Sequence, residues 1–105
     1  MIGNYKVITL CGSTRFKDEF LEVQKRLTLD GNIVISVGVF GHADDVPELT
    51  SDIKTMLDDM HKRKIDMADE IFVINVDGYI GTSTKSEIDY ATNNGKIVNY
   101  LVNLK

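Results

Sequence analysis

The sequence predicts a single α/β domain in which a parallel sheet of four to five strands carries helices on both faces. Short apolar segments rich in β-branched residues alternate along the 105-residue chain with segments whose apolar residues recur at helical spacing. Strands that alternate with helices form parallel sheets, because each crossover helix returns the chain to the same end of the sheet. We therefore expect one doubly wound domain over residues 1–105.

The first part of the chain predicts two strands and one helix. Residues 5–10 (YKVITL) and 32–40 (NIVISVGVF) are typical of buried strands. Residues 15–29 between them predict a helix, whose start Ser13 or Thr14 can cap. Its inward face is predicted to hold four apolar residues, namely Phe16, Phe20, Val23 and Leu27.

The rest of the chain predicts a loop, a helix, a strand, a helix and a strand, over residues 41–52, 53–67, 70–76, 85–94 and 96–101. The inward face of the second helix is predicted to hold Ile53, Leu57, Met60 and Ile65, and its run His61-Lys62-Arg63-Lys64 is typical of a solvated face. The resulting β-α-β-α-β-α-β order predicts a flavodoxin-like or Rossmann-like sheet. Such sheets bind ligands beyond the carboxyl ends of their strands.

The composition indicates which kinds of binding partner are disfavoured. The 12 Lys and Arg are outnumbered by 16 Asp and Glu, giving a net charge of -4, which disfavours binding to a nucleic-acid polymer. The single cysteine excludes an internal disulfide. No apolar run approaches the ~18 residues of a membrane span, and the first residues lack signal-peptide character. We expect a cytoplasmic protein with a small-molecule ligand and no membrane partner.

The segment Cys11-Gly12-Ser13-Thr14-Arg15 follows the first predicted strand and precedes a helix. Backbone N–H groups at a helix N-terminus favour an anion, Gly12 permits close approach, and the hydroxyl and guanidinium groups can bind a phosphate. An ordinary turn with an exposed arginine fits the same residues. Cys11 is expected to be a buried free cysteine rather than a nucleophile, because three residues are too few to circle a phosphate before Arg15.

Glu87 is the candidate catalytic carboxylate. It is placed in the first turn of the third helix, at the edge of the sheet where ligands bind. Thr84-Lys85-Ser86-Glu87 also matches the capping box S/T-x-x-E, and the spacing alone favours that role. Asp77 is a candidate second carboxylate for chemistry at a sugar anomeric carbon, or a turn residue before Gly78.

The remaining candidates belong to loops near the same edge. Tyr79 can stack on a base or simply cover its loop. His42 lies in the acidic loop with Asp44, Asp45 and Glu48, but no spacing there is diagnostic of a metal. We expect neither a metal nor a cofactor.

Three segments form a pattern that spans nearly the whole chain. They are CGSTR at 11–15, MADEI at 67–71 and STKSEIDYA at 83–91, the last followed by Gly95-Lys96. The pattern resembles the nucleoside 2-deoxyribosyltransferase superfamily, specifically its small bacterial and phage members. The last segment is similar to the superfamily's Gly-Thr-x-x-Glu-Ile/Leu-Gly-Tyr-Ala, with Ser83 and Asp89 where glycine is preferred.

The resemblance implies an enzyme that transfers or hydrolyses the (deoxy)ribosyl group at the N-glycosidic bond of a nucleoside or nucleoside 5′-monophosphate. It implies that Glu87 is the nucleophile, that Asp77 lies near the sugar, and that the protein is a homodimer or higher homo-oligomer. The expected substrate-binding residues are Gly12, Ser13, Thr14, Arg15, His42, Tyr79, Ser83 and Thr84. The alternative is a non-catalytic nucleotide-binding module that uses the same loops, with Glu87 as a helix cap.

Overall fold

The computed structural model describes residues 2–40 and 50–103. The strands are β1 (Val7–Gly12), β2 (Ile33–Ile35), β3 (Glu70–Ile74) and β4 (Ile97–Tyr100). The helices are α1 (Lys17–Leu29), α2 (Ser51–Asp66) and α3 (Thr82–Asn93), and a short 3-10 turn covers Val76–Gly78. All pairings are parallel, in the order β2-β1-β3-β4. The predicted doubly wound α/β fold is confirmed.

The strand order places a switch point between β1 and β3. From β1 the chain first crosses to β2 on one side, and it later returns to β3 and β4 on the other. The pairing of β1 with β3 extends to Cys11 opposite Val73 and Gly12 opposite Ile74. The two carboxyl ends therefore lie side by side, at the position where open α/β sheets bind their ligands.

Each face of the sheet has its own apolar core. Leu10 and Ile74 pack with Phe20 and Val23 of α1 on one face. On the other face, three sheet residues pack against Ile65 of α2 and Ala91 of α3; these are Cys11, Ile71 and Val73. Because neighbouring strand residues point to opposite faces, Leu10 and Cys11 serve different cores. The prediction of helices on both faces is confirmed, as is the inward face of α1.

Strand β2 is shorter than predicted. It ends at Ile35, whereas the apolar pattern extends to Phe40. As an edge strand, β2 pairs only with β1. Beyond Ile35 the chain bonds elsewhere, since the Ser36 carbonyl accepts a 2.8 Å hydrogen bond from Nζ of Lys64. The segment 36–40 thereby leaves the ladder and runs toward α2.

The inward face of α2 differs from the prediction. Ile53 and Met60 are 36% and 46% exposed, while His61 and Ile65 are buried and Leu57 is half-buried. The helix is rotated so that residues four apart, 57, 61 and 65, face the sheet. The prediction of a solvated His61 is therefore wrong. None of the helices in the described residues has the length and apolar character that crossing a membrane requires.

Neither Ser13 nor Thr14 caps α1. The helix begins at Lys17 after Phe16, whose side chain makes no capping hydrogen bond. The Ser13 carbonyl accepts the Phe16 N–H at 3.1 Å, which forms a turn that delays the helix. The predicted cap is wrong, and the segment 13–15 is instead a loop beyond the end of β1.

Candidate functional site

A pocket of about 580 Å³ lies beyond the carboxyl ends of β1 and β2 and beside the start of α3. Its volume is within the range of typical small-molecule sites. Four segments supply its walls: 12–14, 37–39, one side of α2, and 79–87. The pocket therefore lies at the carboxyl edge of the sheet, among the loops that follow β1, β2 and β3.

Most of the predicted site residues meet at this pocket. Its lining includes Gly12, Ser13, Thr14, Tyr79, Ser83, Thr84 and Glu87. Arg15 and Asp77 are not among the described residues that line it. His42 lies outside the described residues, so its predicted role stays a prediction.

Gly12 is required by the packing of β1 on β3. Its φ is +150°, and a Cβ built there would approach the carbonyl oxygen of Ile74 to 2.8 Å. No real Cβ tolerates that distance, and the contacting atom belongs to the backbone of a central strand. Glycine at this position therefore permits close approach of two strands at the pocket floor, whatever it does for a ligand.

Arg15 lies next to the pocket rather than in its wall. Its guanidinium carbon is 4.1 Å from the ring centroid of Tyr79 and 5.0 Å from that of Phe16. Phe16 and Tyr79 also make an edge-to-face contact at 6.1 Å. The cation is thus stacked on one face of an aromatic residue that lines the pocket.

Asp77 has the geometry of a turn residue. It lies in the 3-10 turn after β3 with φ of 55°, and Gly78 follows with φ of 82°. Aspartate is one of the few non-glycine residues that occupy this left-handed region readily. The structure does not bring exposed Asp77 together with Glu87 at the pocket, and its predicted contact with a sugar stays a prediction.

The capping box at Thr84 and Glu87 does not form. Helix α3 begins at Thr82, its N-cap is Gly81, and no side chain caps it. Thr84 is therefore inside the first turn and is buried, while Glu87 lies in the second turn. The capping interpretation of Glu87 is wrong because the helix starts three residues earlier than predicted. The residues at this uncapped helix start, 81–84, line the pocket instead.

Glu87 faces a cluster of buried polar side chains. His61 Nε2 lies 3.8 Å from Oε1 of Glu87 and 3.4 Å from Sγ of Cys11. The side chains of His61 and Glu87 are only 8% and 13% exposed, and Cys11 is fully buried. Three separate elements, β1, α2 and α3, therefore bring a thiol, an imidazole and a carboxyl group together. The imidazole and the carboxyl group line the pocket, and the thiol lies behind them.

Burial shifts the pKa values of the ionisable groups in this cluster. It raises the pKa of Glu87 to about 7, with the Asp58 carboxylate adding to the rise and Cys11 and Lys62 opposing it. Burial, with Lys64, lowers the pKa of His61 to about 4, against a hydrogen bond with the Leu10 backbone. His61 is therefore neutral at pH 7, and its contact with Glu87 is not an ion pair despite the short distance.

The thiol of Cys11 is also uncharged. Burial raises its pKa well above the usual value, and both the charge of Glu87 and a hydrogen bond with it add to this effect. A nucleophilic Cys11 would need the opposite shift, so the structure agrees with the expectation of an unreactive cysteine.

The pocket-lining residues that sequence reasoning missed include four ionisable ones, namely Lys54, Asp58, His61 and Lys64. All belong to α2, whose rotation was predicted incorrectly. One signal was present, since His61 lies four residues from both Leu57 and Ile65 and so shares their helix face. Lys64 is partly buried, which lowers its pKa.

Fold and site together define an α/β domain with a pocket at the carboxyl edge of its sheet and, in the pocket wall, a largely buried carboxyl group whose pKa is raised to about 7. Comparisons of the chain with protein-family models, with curated proteins and with solved structures gave no match.

Proposed function

We propose that this protein cleaves the N-glycosidic bond of a nucleoside or nucleoside 5′-monophosphate, by hydrolysis or by transfer of the (deoxy)ribosyl group, with Glu87 as the nucleophile. The observation that carries the proposal is the position of Glu87. Its carboxyl group is in the wall of a nucleotide-sized pocket and is not used as a helix cap. The alternative, a non-catalytic binding module, relied on Glu87 as a helix cap, and no side chain caps α3.

In the proposed reaction a carboxylate oxygen of Glu87 attacks the anomeric carbon and the carbon–nitrogen bond to the base breaks. The leaving base takes a proton from water. Water or an acceptor base then attacks the anomeric carbon, loses a proton to the solvent and releases the glycosyl group, which regenerates the Glu87 carboxylate. Glu87 reacts as the carboxylate, which is about half of the population near pH 7.

The pocket contains groups that can contact a 5′-phosphate. Lys54 and Lys64 line it from α2, and the uncapped N-terminus of α3 opens onto it at Thr82, Ser83 and Thr84. Ser13 and Thr14 add hydroxyl groups from the loop after β1. These groups favour a monophosphate over the free nucleoside.

A second carboxylate also lines the pocket. Asp58 is close enough to Glu87 to raise the pKa of that carboxyl group. Asp77 keeps its predicted role near the sugar. The two aspartates are distinguished by Asp58→Asn and Asp77→Asn, of which only the first is expected to change the pH dependence of base release.

The test is the release of free base from a panel of nucleosides and 5′-monophosphates, measured by chromatography. Glu87→Gln is expected to reduce release to the limit of detection, whereas Glu22→Gln, an exposed glutamate on α1, is expected to retain wild-type turnover. Full turnover by Glu87→Gln would refute the mechanism. Ligand-induced thermal stabilisation without any base release would instead support the binding module.

Phosphate recognition has its own test. Lys54→Ala is expected to raise KM for a 5′-monophosphate about tenfold, in line with loss of one charge-assisted contact, and to leave KM for the nucleoside unchanged. An equal change for both substrates would contradict the assignment of this lysine to the phosphate.

A further inference from the structure

The cluster of Cys11, His61 and Glu87 has the composition of a metal site as well as that of a catalytic wall. One ligand atom from each residue, Sγ, Nε2 and a carboxylate oxygen, lies within 4.8 Å of the other two. We propose that these three residues bind a zinc-like divalent cation.

Two of the three ligand-atom separations are close to those of tetrahedral coordination. Zinc bonds of about 2.3 Å to sulfur and about 2.0 Å to nitrogen or oxygen place a tetrahedral S···N pair about 3.5 Å apart and an N···O pair about 3.3 Å apart. The corresponding distances here are 3.4 Å for Sγ···Nε2 and 3.8 Å for Nε2···Oε1. These two separations are within about half an ångström of the tetrahedral values, and the third, from Sγ to a carboxylate oxygen, is within 4.8 Å.

The imidazole already has the orientation of a ligand. Nε2 faces Cys11 and Glu87, so Nδ1 is the nitrogen available for the hydrogen bond with the Leu10 backbone. Metal-binding histidines usually make such a contact through their second nitrogen, which fixes the ring and leaves the first one free to bind.

The fourth position would face the ligand pocket. His61 and Glu87 line the pocket, whereas Cys11 is behind them and fully buried. Three protein ligands with one open side are typical of zinc sites that bind water or a substrate group, rather than of closed structural sites. The mixed sulfur, nitrogen and oxygen donors favour zinc or cobalt over magnesium or calcium.

The site has a consequence for the proposed reaction, and this consequence alone depends on the proposed function. A carboxylate oxygen bound to a cation is not free to attack an anomeric carbon. Zinc and glycosyl transfer through Glu87 therefore exclude each other, and Zn²⁺ is expected to inhibit base release at one ion per protein.

The test uses Co²⁺ as a spectroscopic probe of the purified, metal-free protein. Cys11 is the only cysteine in the chain, so a thiolate-to-cobalt charge-transfer band can arise only from it. We expect this band at one equivalent, its loss on addition of Zn²⁺, and its absence in Cys11→Ser. His61→Asn and Glu87→Gln are expected to weaken Co²⁺ binding at least tenfold.

Two controls locate the ion. His42→Asn replaces the only other histidine and Glu22→Gln replaces an exposed glutamate, and both are expected to retain the band. Circular dichroism establishes that each variant is folded, and Glu87→Gln keeps the test valid if Cys11→Ser does not fold. No band in the wild type, or binding that is lost in His42→Asn but kept in His61→Asn, would overturn the site. A band, together with no base release from any substrate by the metal-free protein, would support the site and refute the proposed function.

Discussion

Replacing Glu87 with glutamine is expected to stabilise the metal-free protein at alkaline pH. The carboxyl group is largely buried, and Asp58 adds a like charge, so its ionisation is less favourable in the folded state than in the unfolded chain. Lys62 and Cys11 oppose this effect without cancelling it. Glutamine keeps the shape of the side chain and cannot ionise.

The magnitude follows from the pKa values. The ordinary pKa of 4.5 rises to about 7 in the folded protein. The folded state therefore holds this proton more tightly, and its stability falls as the pH rises from the unfolded value to the folded one. The full penalty above pH 7 is about 3 kcal/mol, of which about 2.5 kcal/mol develops between pH 5 and pH 8.

The assay is urea unfolding in the presence of a chelator at several pH values from 5 to 8. The free energy of unfolding of Glu87→Gln is expected to exceed that of the wild type by an amount that grows with pH. Glu22→Gln should follow the wild type. His61, 3.8 Å from Glu87, is present in all three proteins, so its own titration largely cancels in the difference. Parallel pH profiles for Glu87→Gln and the wild type would refute the argument that burial raises this pKa.

Three further predictions concern stability and are measured by chemical unfolding at pH 7. Gly12→Ala is expected to cost more than about 1 kcal/mol, because its positive φ and the Ile74 carbonyl oxygen leave no room for a Cβ; an unchanged midpoint would contradict the close approach. Asn75→Ala should lower the free energy of unfolding by about 2 kcal/mol, because the buried amide makes two 2.8 Å hydrogen bonds with the backbone of Val102. Asn75→Asp should not restore this loss, because an ionised aspartate cannot donate to the Val102 carbonyl. Thr9→Val should lower the free energy of unfolding by about 1 kcal/mol, because it removes the 2.9 Å hydrogen bond to the Lys64 carbonyl with little change in side-chain volume. Equal stability of the variant and the wild type would mean that this hydrogen bond does not stabilise the packing of α2 on the sheet.

The strands and helices follow from local patterns, and so do their order and type. Alternation of β-branched segments with helical periodicity predicted a parallel sheet, and four parallel strands with three helices are present in the described residues. Errors arose at the ends of elements. Strand β2 stops at Ile35 because its next carbonyl bonds to Lys64, and α3 starts at Thr82 because Gly81 provides its N-cap. Both errors arose because these hydrogen bonds and caps cannot be read from the spacing of apolar residues.

By itself the sequence singled out Glu87, the loop 12–15 and the carboxyl edge of the sheet, because these depend on residue type and on the order of strands and helices. Only the tertiary structure decided what surrounds Glu87. Cys11 and His61 are 50 residues apart in the chain, and they meet at 3.4 Å because α2 is rotated to place 57, 61 and 65 against the sheet. That rotation is set by contacts between α2 and the sheet. The Thr9 hydroxyl donates a hydrogen bond to the Lys64 carbonyl, and Cys11 packs in the same apolar cluster as Ile65. Helical periodicity limits this rotation but does not determine it, because the apolar residues of α2 can be grouped into more than one helix face that could pack against the sheet.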